Sequence, residues 1–263
     1  IHNKKDKKLN FYNTWLEIFG VPIVYSPYLQ TPEPGITRAT GLLTPSFLGS
    51  DILGTGLRQP FFIKINDSSD ATLSLVKTSK INFLMETEYR KIFNTGRLQF
   101  DAAYLPTTDS KKTEGFMKIK GNYAMGRGSL AKWDTTIISD TSFLGKYGYN
   151  DKDRFLNFVS YEKFKNNSFL ESSILYYTSL RDSSLIEPLA LPNLNFQNHK
   201  YIKNTGIFMR ENYSLLGLSR RDRDGYTRVT ADVQVEKNWK TENGLFLEGT
   251  GQIRSGFYKE NKT

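Results

Sequence analysis

Gly20-Val21-Pro22-Ile23-Val24-Tyr25-Ser26-Pro27-Tyr28-Leu29-Gln30 leads through a link broken by Pro32 and Pro34 into Thr37-Arg38-Ala39-Thr40-Gly41-Leu42-Leu43-Thr44-Pro45-Ser46-Phe47, and the run closes on Arg58-Gln59-Pro60-Phe61-Phe62. Pro45 and Pro60 stand inside segments that otherwise read as the first two strands of a long series. Proline has no amide donor, so within a sheet it deletes a ladder bond and belongs at an edge or a bulge. A sheet that opens on two such strands contains a join with fewer bonds to break.

Outward from that join, the pattern from about Thr37 onward is one of strands of roughly ten residues divided by turn signals, as in outer-membrane barrels. Strands are expected near 37–48, 53–65, 70–78, 80–93, 96–105, 114–124, 129–139, 153–164, 168–179, 188–197, 206–217, 225–239 and 244–258, about thirteen in all. Leu98, Phe100, Ala102 and Tyr104 alternate with Arg97, Gln99 and Asp101, and Val229, Ala231, Val233 and Val235 alternate with Arg228, Thr230, Asp232, Gln234 and Glu236. Ile81, Phe83, Met85 and Tyr89 likewise oppose Asn82, Glu86, Glu88 and Arg90. Side chains of a strand alternate sides, so these runs specify one apolar and one polar surface. Residues 154–164 fix no face, 188–196 is weakened by Pro188 and Pro192, and helical periodicity is sustained nowhere, so essentially no helix is expected.

Connection lengths add a parity. Asn66–Ser69, Asn94–Thr95, Met125–Gly128, Lys165–Asn167 and Lys240–Asn243 are short, while Pro106–Thr113, Asp140–Lys152, Leu180–Glu187 and Leu218–Asp224 are longer and more charged. Short turns on one rim and long loops on the other suit a barrel. The 198–205 connection reads as too long for the pattern, and the link at 79 as too short.

Composition is compatible with this and equally with a soluble β-sandwich, and does not separate the two. The 263 residues include no cysteine, carry a net charge of +9 and have 38% hydrophobic and 14% aromatic residues at a mean hydropathy of −0.49. No run approaches the roughly 18 apolar residues of a membrane helix, and no apolar core follows the basic residues at the start, so the sequence is expected to be cytosolic or an internal fragment. Lysines are scattered, which points to solvated charge, and no basic patch with interleaved aromatics suggests nucleic acid. An enzyme is not expected. His2 and His199 are the only histidines, and no nucleophile elbow, phosphate-cradling glycine loop or zinc-protease motif is present. Arg221-Asp222-Arg223-Asp224-Gly225 lacks the spacing of a calcium loop, with Ala231 where the closing glutamate belongs. Glu86 and Glu88 without a third group read as a solvated face. No catalytic residue, metal or cofactor is assigned.

Val21 to Leu29, Arg38-Ala39-Thr40-Gly41-Leu42-Leu43-Thr44-Pro45, Gln59-Pro60-Phe61-Phe62, Asp70-Ala71-Thr72-Leu73 and Asp101-Ala102-Ala103-Tyr104-Leu105-Pro106 together resemble the LptD (OstA/Imp) family of lipopolysaccharide-assembly proteins of the Gram-negative outer membrane. The resemblance implies an all-β chain: 1–34 as the end of a periplasmic β-jellyroll with its linker, and 35–263 as the first half of an antiparallel transmembrane β-barrel of roughly twenty-six strands. It implies a translocon that inserts lipopolysaccharide into the outer leaflet through a lateral gate, with Pro45 and Pro60 as gate residues. Pro22, Val24, Tyr25 and Tyr28 fall where the jellyroll hands lipid to the barrel, as an apolar slide or as plain jellyroll core. Arg58, Lys64, Glu86, Arg90, Arg97, Asp101, Arg228 and Asp232 are the luminal polar candidates. Trp133 and Trp239 are candidates for interface anchors, Trp15 for jellyroll packing. Implied partners are lipopolysaccharide, outer-membrane lipid, the plug lipoprotein LptE and the periplasmic bridge protein LptA. The alternative is a passive porin or another large outer-membrane barrel, which needs neither a jellyroll junction nor prolines in its first strands.

Overall fold

The alternating runs fold as strands, except that Ile81 and Phe83 lie ahead of the strand, which begins at Leu84. The computed structural model describes residues 2–3, 8–18, 20–33, 35, 38–51, 53–81, 83–106, 114–149, 153–180, 188–220 and 223–261. A three-stranded sheet comprises β1 (His2–Asn3), β2 (Lys8–Ile18) and β3 (Val21–Pro32). β2 and β3 are long, and β3 runs through Pro27. Gly20 makes the turn at φ 80°, in the left-handed region that glycine enters without a Cβ penalty.

The second sheet holds β4 (Gly41–Leu42), β5 (Ser46–Ser50), β6 (Gly54–Asn66), β7 (Ser69–Thr78), β8 (Leu84–Phe93), β9 (Gly96–Leu105), β10 (Glu114–Gly126) and β11 (Ser129–Ile138). A helix, α1 (Phe143–Lys146), follows, and then β12 (Arg154–Lys165), β13 (Ser168–Ser179), β14 (Leu189–Ile202), β15 (Ile207–Arg220), β16 (Arg223–Lys240) and β17 (Phe246–Asn261). Each strand from β6 to β17 pairs antiparallel with its neighbours in sequence, an up-and-down meander that forms a partial β-barrel. The first expected strand is present in two pieces, β4 and β5, both paired to β6.

Three expectations are corrected. The segment weakened by Pro188 and Pro192 is a full strand, β14, that continues to Ile202, which shortens the awkward 198–205 connection to 203–206. The long loop expected at 218–224 is mostly strand, because β15 and β16 stay paired as far as Arg220↔Arg223; Arg221 and Asp222 lie outside the described residues. A helix is present after all. It is one turn long, inside the connection between β11 and β12, and too short for periodicity to reveal.

Register gives the sheet two unlike faces. Ser74, Glu86, Ala103 and Phe116 form one row across β7–β10, and Leu75, Met85 and Tyr104 form the adjacent row on the other side. The second face leaves Leu73, Leu75, Met85, Tyr104, Met117, Ile119 and Ile137 exposed. The first carries most of the charged groups and is covered at one end by the β11–β12 connection. There Phe143 and Leu144 of α1, both at most 2% exposed, pack with Tyr147 onto Val76, Leu84 and Ala103. Burying a side chain of this size contributes about 1.5–3 kcal/mol, so the connection lies on the sheet as a small core.

This contact explains the ambiguous 154–164 segment. Phe155 packs against the cluster under α1 and Leu156 is exposed, whereas farther along Val159 is exposed and Ser160 buried. The alternation changes phase around Asn157, which is fully buried, accepts the Thr136 backbone N–H at 2.6 Å and donates to Thr178 Oγ1 at 2.8 Å.

Candidate functional site at the first seam

The join of β4 and β5 with β6 is interrupted part-way along. Pairing holds at Gly41↔Phe62 and Leu42↔Phe61, lapses, and resumes at Ser46↔Arg58. Residues 43–45 therefore face only residues 59 and 60, one extra residue on the first strand, which is the arithmetic of a β-bulge. Pro45 occupies the bulge, between the two strand pieces. Pro60 stays within β6, opposite Leu43.

The Leu43 N–H donates to the Pro60 carbonyl at 3.0 Å. In an antiparallel ladder, residues of such a pair exchange both bonds, so the return bond would run from the Pro60 N–H to the Leu43 carbonyl. Pro60 has no N–H. Its missing donor thus falls on this seam and not on the β6–β7 side, where pairing continues through Pro60↔Ser74. The Leu43 carbonyl is met instead by Gln59, whose Nε2 donates to it at 2.8 Å and to the Pro60 carbonyl at 3.0 Å. Nearby, Thr40 Oγ1 accepts the Lys64 backbone N–H at 3.0 Å. Side chains do work here that backbone does elsewhere.

On the polar face, Arg58 Nη2 donates to Glu86 Oε1 at 2.9 Å, and Nε lies 2.9 Å from Oε2 as an ion-pair contact. Tyr149 donates to the same Oε1 at 2.7 Å. Beside this cluster, Arg90 Nε donates to Asp70 Oδ1 at 2.8 Å, and the Arg38 guanidinium binds Asp70 Oδ2 and the Asp67 carbonyl. A cavity of about 650 Å³ is lined by Arg38, Asp70, Arg90, Arg97, Gln99 and Lys120. Asp101 accepts Gln99 Nε2 at 3.1 Å, and Lys64 turns to Asp67 at 2.8 Å, at the β6–β7 turn.

Of the eight luminal candidates, Arg58, Glu86, Arg90, Arg97 and Asp101 are gathered on β6–β9. Lys64 belongs to the turn. Arg228 and Asp232 sit on β16, far along the sheet, in a second polar hollow with Gln252 and Arg254, both of which donate to Asp232. Asp70 and Arg38, not expected as luminal, sit at the centre of the first cluster. The signal lay in the register of β7 with β8, which places Asp70 opposite Arg90.

Pro22, Tyr25 and Tyr28 lie on β3, where Tyr25 and Tyr28 are about half exposed. Their rings pack on Trp15 and Tyr12 at 5.1 and 5.2 Å, and their hydroxyls donate to Asn13 and Asn10. The side chain of Val24 lies outside the described residues. Trp133 lies over Gly121 on β10 and Trp239 over Gly249 on β17.

Outside the strands, burial pushes the phenols of Tyr147 and Tyr149 upward, Tyr149 furthest, with its bond to Glu86 adding to the shift. Lys146 is raised by its hydrogen bond with Tyr147.

No protein-family model matches the chain. It is similar to LPS-assembly protein LptD of Idiomarina loihiensis, 30% identical over 145 residues that make up 53% of this chain and 19% of the relative. The protein of the same name from Aliivibrio fischeri is 34% identical over 113 residues, 43% of this chain and 14% of the relative. That from Xanthomonas campestris is 32% identical over 133 residues, 50% of this chain and 16% of the relative. The chain therefore spans less than a fifth of the length of these curated relatives.

Proposed function

We propose that the chain belongs to the LptD family of LPS-assembly proteins and forms part of the wall of an outer-membrane barrel that delivers lipopolysaccharide to the outer leaflet. The polar face lines the lumen and passes sugars and phosphates, and the apolar face meets lipid. The lateral gate through which acyl chains leave begins at the first two strands, β4–β5 and β6, with Pro45 and Pro60 as its residues. The three-stranded sheet is the end of a periplasmic jellyroll that receives lipid from the bridge protein LptA, with Pro22, Val24, Tyr25 and Tyr28 along the route. The luminal charges Arg58, Glu86, Arg90, Arg97 and Asp101 face the sugars or the plug lipoprotein LptE.

One observation carries this reading: the ladder at Leu43–Pro60 lacks a backbone bond and the adjoining strand is bulged at Pro45. Each backbone group left bare in hydrocarbon costs several kcal/mol, so an ordinary wall resists opening. Removing donors beforehand lowers that resistance by about 1 kcal/mol for each missing bond.

The test is the double variant Pro45→Ala/Pro60→Ala, scored for lipopolysaccharide at the cell surface. Restored donors are expected to slow delivery by about tenfold. Normal delivery by a folded double variant rules the gate out.

A further inference from the structure

The polar face is uneven in charge. At the end of the strands away from α1, beside the β6–β7 turn, its hollow is bordered by Arg38, Arg90, Arg97 and Lys120, and Asp70 is the one carboxylate in the lining. Register explains the gathering: Asp70, Arg90, Gln99 and Lys120 make one row across β7–β10, and Arg97 stands one step nearer the rim. Arg38 reaches the same place from the segment ahead of β4, through Asp70 and the Asp67 carbonyl. Lys91 also borders the hollow, but its ammonium lies over the Phe93 ring, 5.0 Å from the centroid.

Asp70 cannot balance this set, because each of its oxygens already holds one guanidinium, Arg90 on Oδ1 and Arg38 on Oδ2. Arg90 and Lys120 have only longer second contacts, to Glu88 at 3.6 Å and to Asp134 at 3.8 Å. Asp101, one row farther from the rim, accepts Gln99. Arg97 makes no hydrogen bond or ion pair among the described residues. Exposed cations attract little at ordinary salt, but a concave low-dielectric wall concentrates their field. Guanidinium forks match the paired oxygens of a phosphate or a carboxylate. About 650 Å³ gives room for a substituted sugar, not merely a bare ion. The hollow on β14–β17 is built the other way: Gln252 and Arg254 both turn onto Asp232, and most of the remaining lining is side-chain amides and hydroxyls.

We infer that the hollow of Arg38, Arg90, Arg97 and Lys120 is a binding site for an anionic sugar, one that carries a phosphate or a carboxylate. Arg38 and Arg90, fixed by Asp70, form its floor, and the less tethered Arg97 and Lys120 close on the oxyanion. This deepens the proposed function and rests on its reading of the polar face as the lumen only for the site's part in export.

The test titrates the complete protein, in a non-ionic detergent at about 0.15 M salt, with glucose 1-phosphate, glucuronate and glucose. At least one anion should bind about tenfold more tightly than glucose. Arg97→Gln and Lys120→Gln should each weaken that binding about tenfold, and Arg97→Lys, which keeps the charge without the fork, should weaken it less. Arg254→Gln, in the other hollow, should change it less than about twofold. Heat-resistant gel mobility shows that each variant is folded, and one that loses it leaves the other to give the result. Tighter binding of glucose 1-phosphate assigns the site to phosphate, tighter binding of glucuronate assigns it to carboxylate, and comparable binding admits both. Glucose bound as well as either anion, or anion binding untouched in Arg97→Gln/Lys120→Gln, overturns the site. If that double variant loses the anion while surface lipopolysaccharide stays normal, the site stands and its place on the export route falls. If no anion binds but Pro45→Ala/Pro60→Ala still slows delivery, the site falls and the proposed function stands.

Discussion

The hydroxyl of Tyr149 donates to Oε1 of Glu86 at 2.7 Å, joining the β11–β12 connection to a strand 63 residues earlier in the chain. Arg58 holds the same carboxylate from the other side. One acid therefore anchors both the strand next to the seam and the segment folded over the polar face. The rest of that segment is fixed by packing: Phe143 lies 4.6 Å from Tyr147, and Tyr149 lies 4.8 Å from Phe116, between ring centroids.

Tyr149→Phe keeps the ring contacts and removes only the bond to Glu86. A hydrogen bond to a charged group contributes about 1.5–3 kcal/mol, less where water has access. Cleavage within 139–149 by a protease that samples the undocked state should rise by about tenfold. Phe143→Ala deletes a ring that is 1% exposed and should cost about 3–5 kcal/mol, enough to release the segment altogether. Limited proteolysis of the two variants beside the parent distinguishes a tethering bond from a packed core. Equal cleavage in Tyr149→Phe and the parent would remove the bond from the account.

Docking of this segment should also depend on pH, and the sign follows from Tyr149. Burial raises its phenol above the ordinary value of 10.0, so the docked state favours the protonated form. Its contribution is complete below about pH 10, where the undocked phenol is still protonated, and is lost as pH rises beyond that. Lys146, raised by its bond to Tyr147, works in the same direction. Protease resistance of 139–149 should be level from about pH 6 to 9 and fall above about pH 10, and the fall should be smaller in Tyr149→Phe. A decline already complete by pH 9 would assign the switch to another group.

The strand series was legible because a two-faced sheet writes period two into its sequence, and β9 and β16 follow the expected alternation. What was not legible depended on contacts distant in sequence. Val76 and Leu84 break the polar row because Phe143 and Leu144 return from more than 55 positions away to cover them. The phase of β12 was obscure for the same reason, since Asn157 bonds into β11 where the ladder ends at Asp134↔Phe158. β14 was doubted on its prolines. It survives because its register with β15 shifts between Ala190 and Asn193, so Pro192 falls where no ladder bond is required. At the seam, the prolines were visible from sequence and their partner was not. Gln59 reads as a stray polar residue until Leu43 is placed opposite Pro60.

Gly121 and Trp133 are directly cross-strand on β10 and β11, and the indole lies over the glycine. A Cβ at residue 121 would stand 2.7 Å from Trp133 Cζ2 and 2.5 Å from the Arg97 carbonyl oxygen on β9. Real side chains do not approach backbone so closely, so the sheet would have to shift on both sides of β10. Gly121→Ala should therefore cost about 1–3 kcal/mol by overpacking, and Gly121→Val more, despite the higher strand propensity of valine. Gly41, whose Cβ position is open, serves as the control: the same change there should cost far less. The temperature at which the protein loses its compact gel mobility reads both. If Gly121→Ala melts with the parent, the indole has moved aside, and a fixed Gly121–Trp133 contact cannot be what seats β10 against β11.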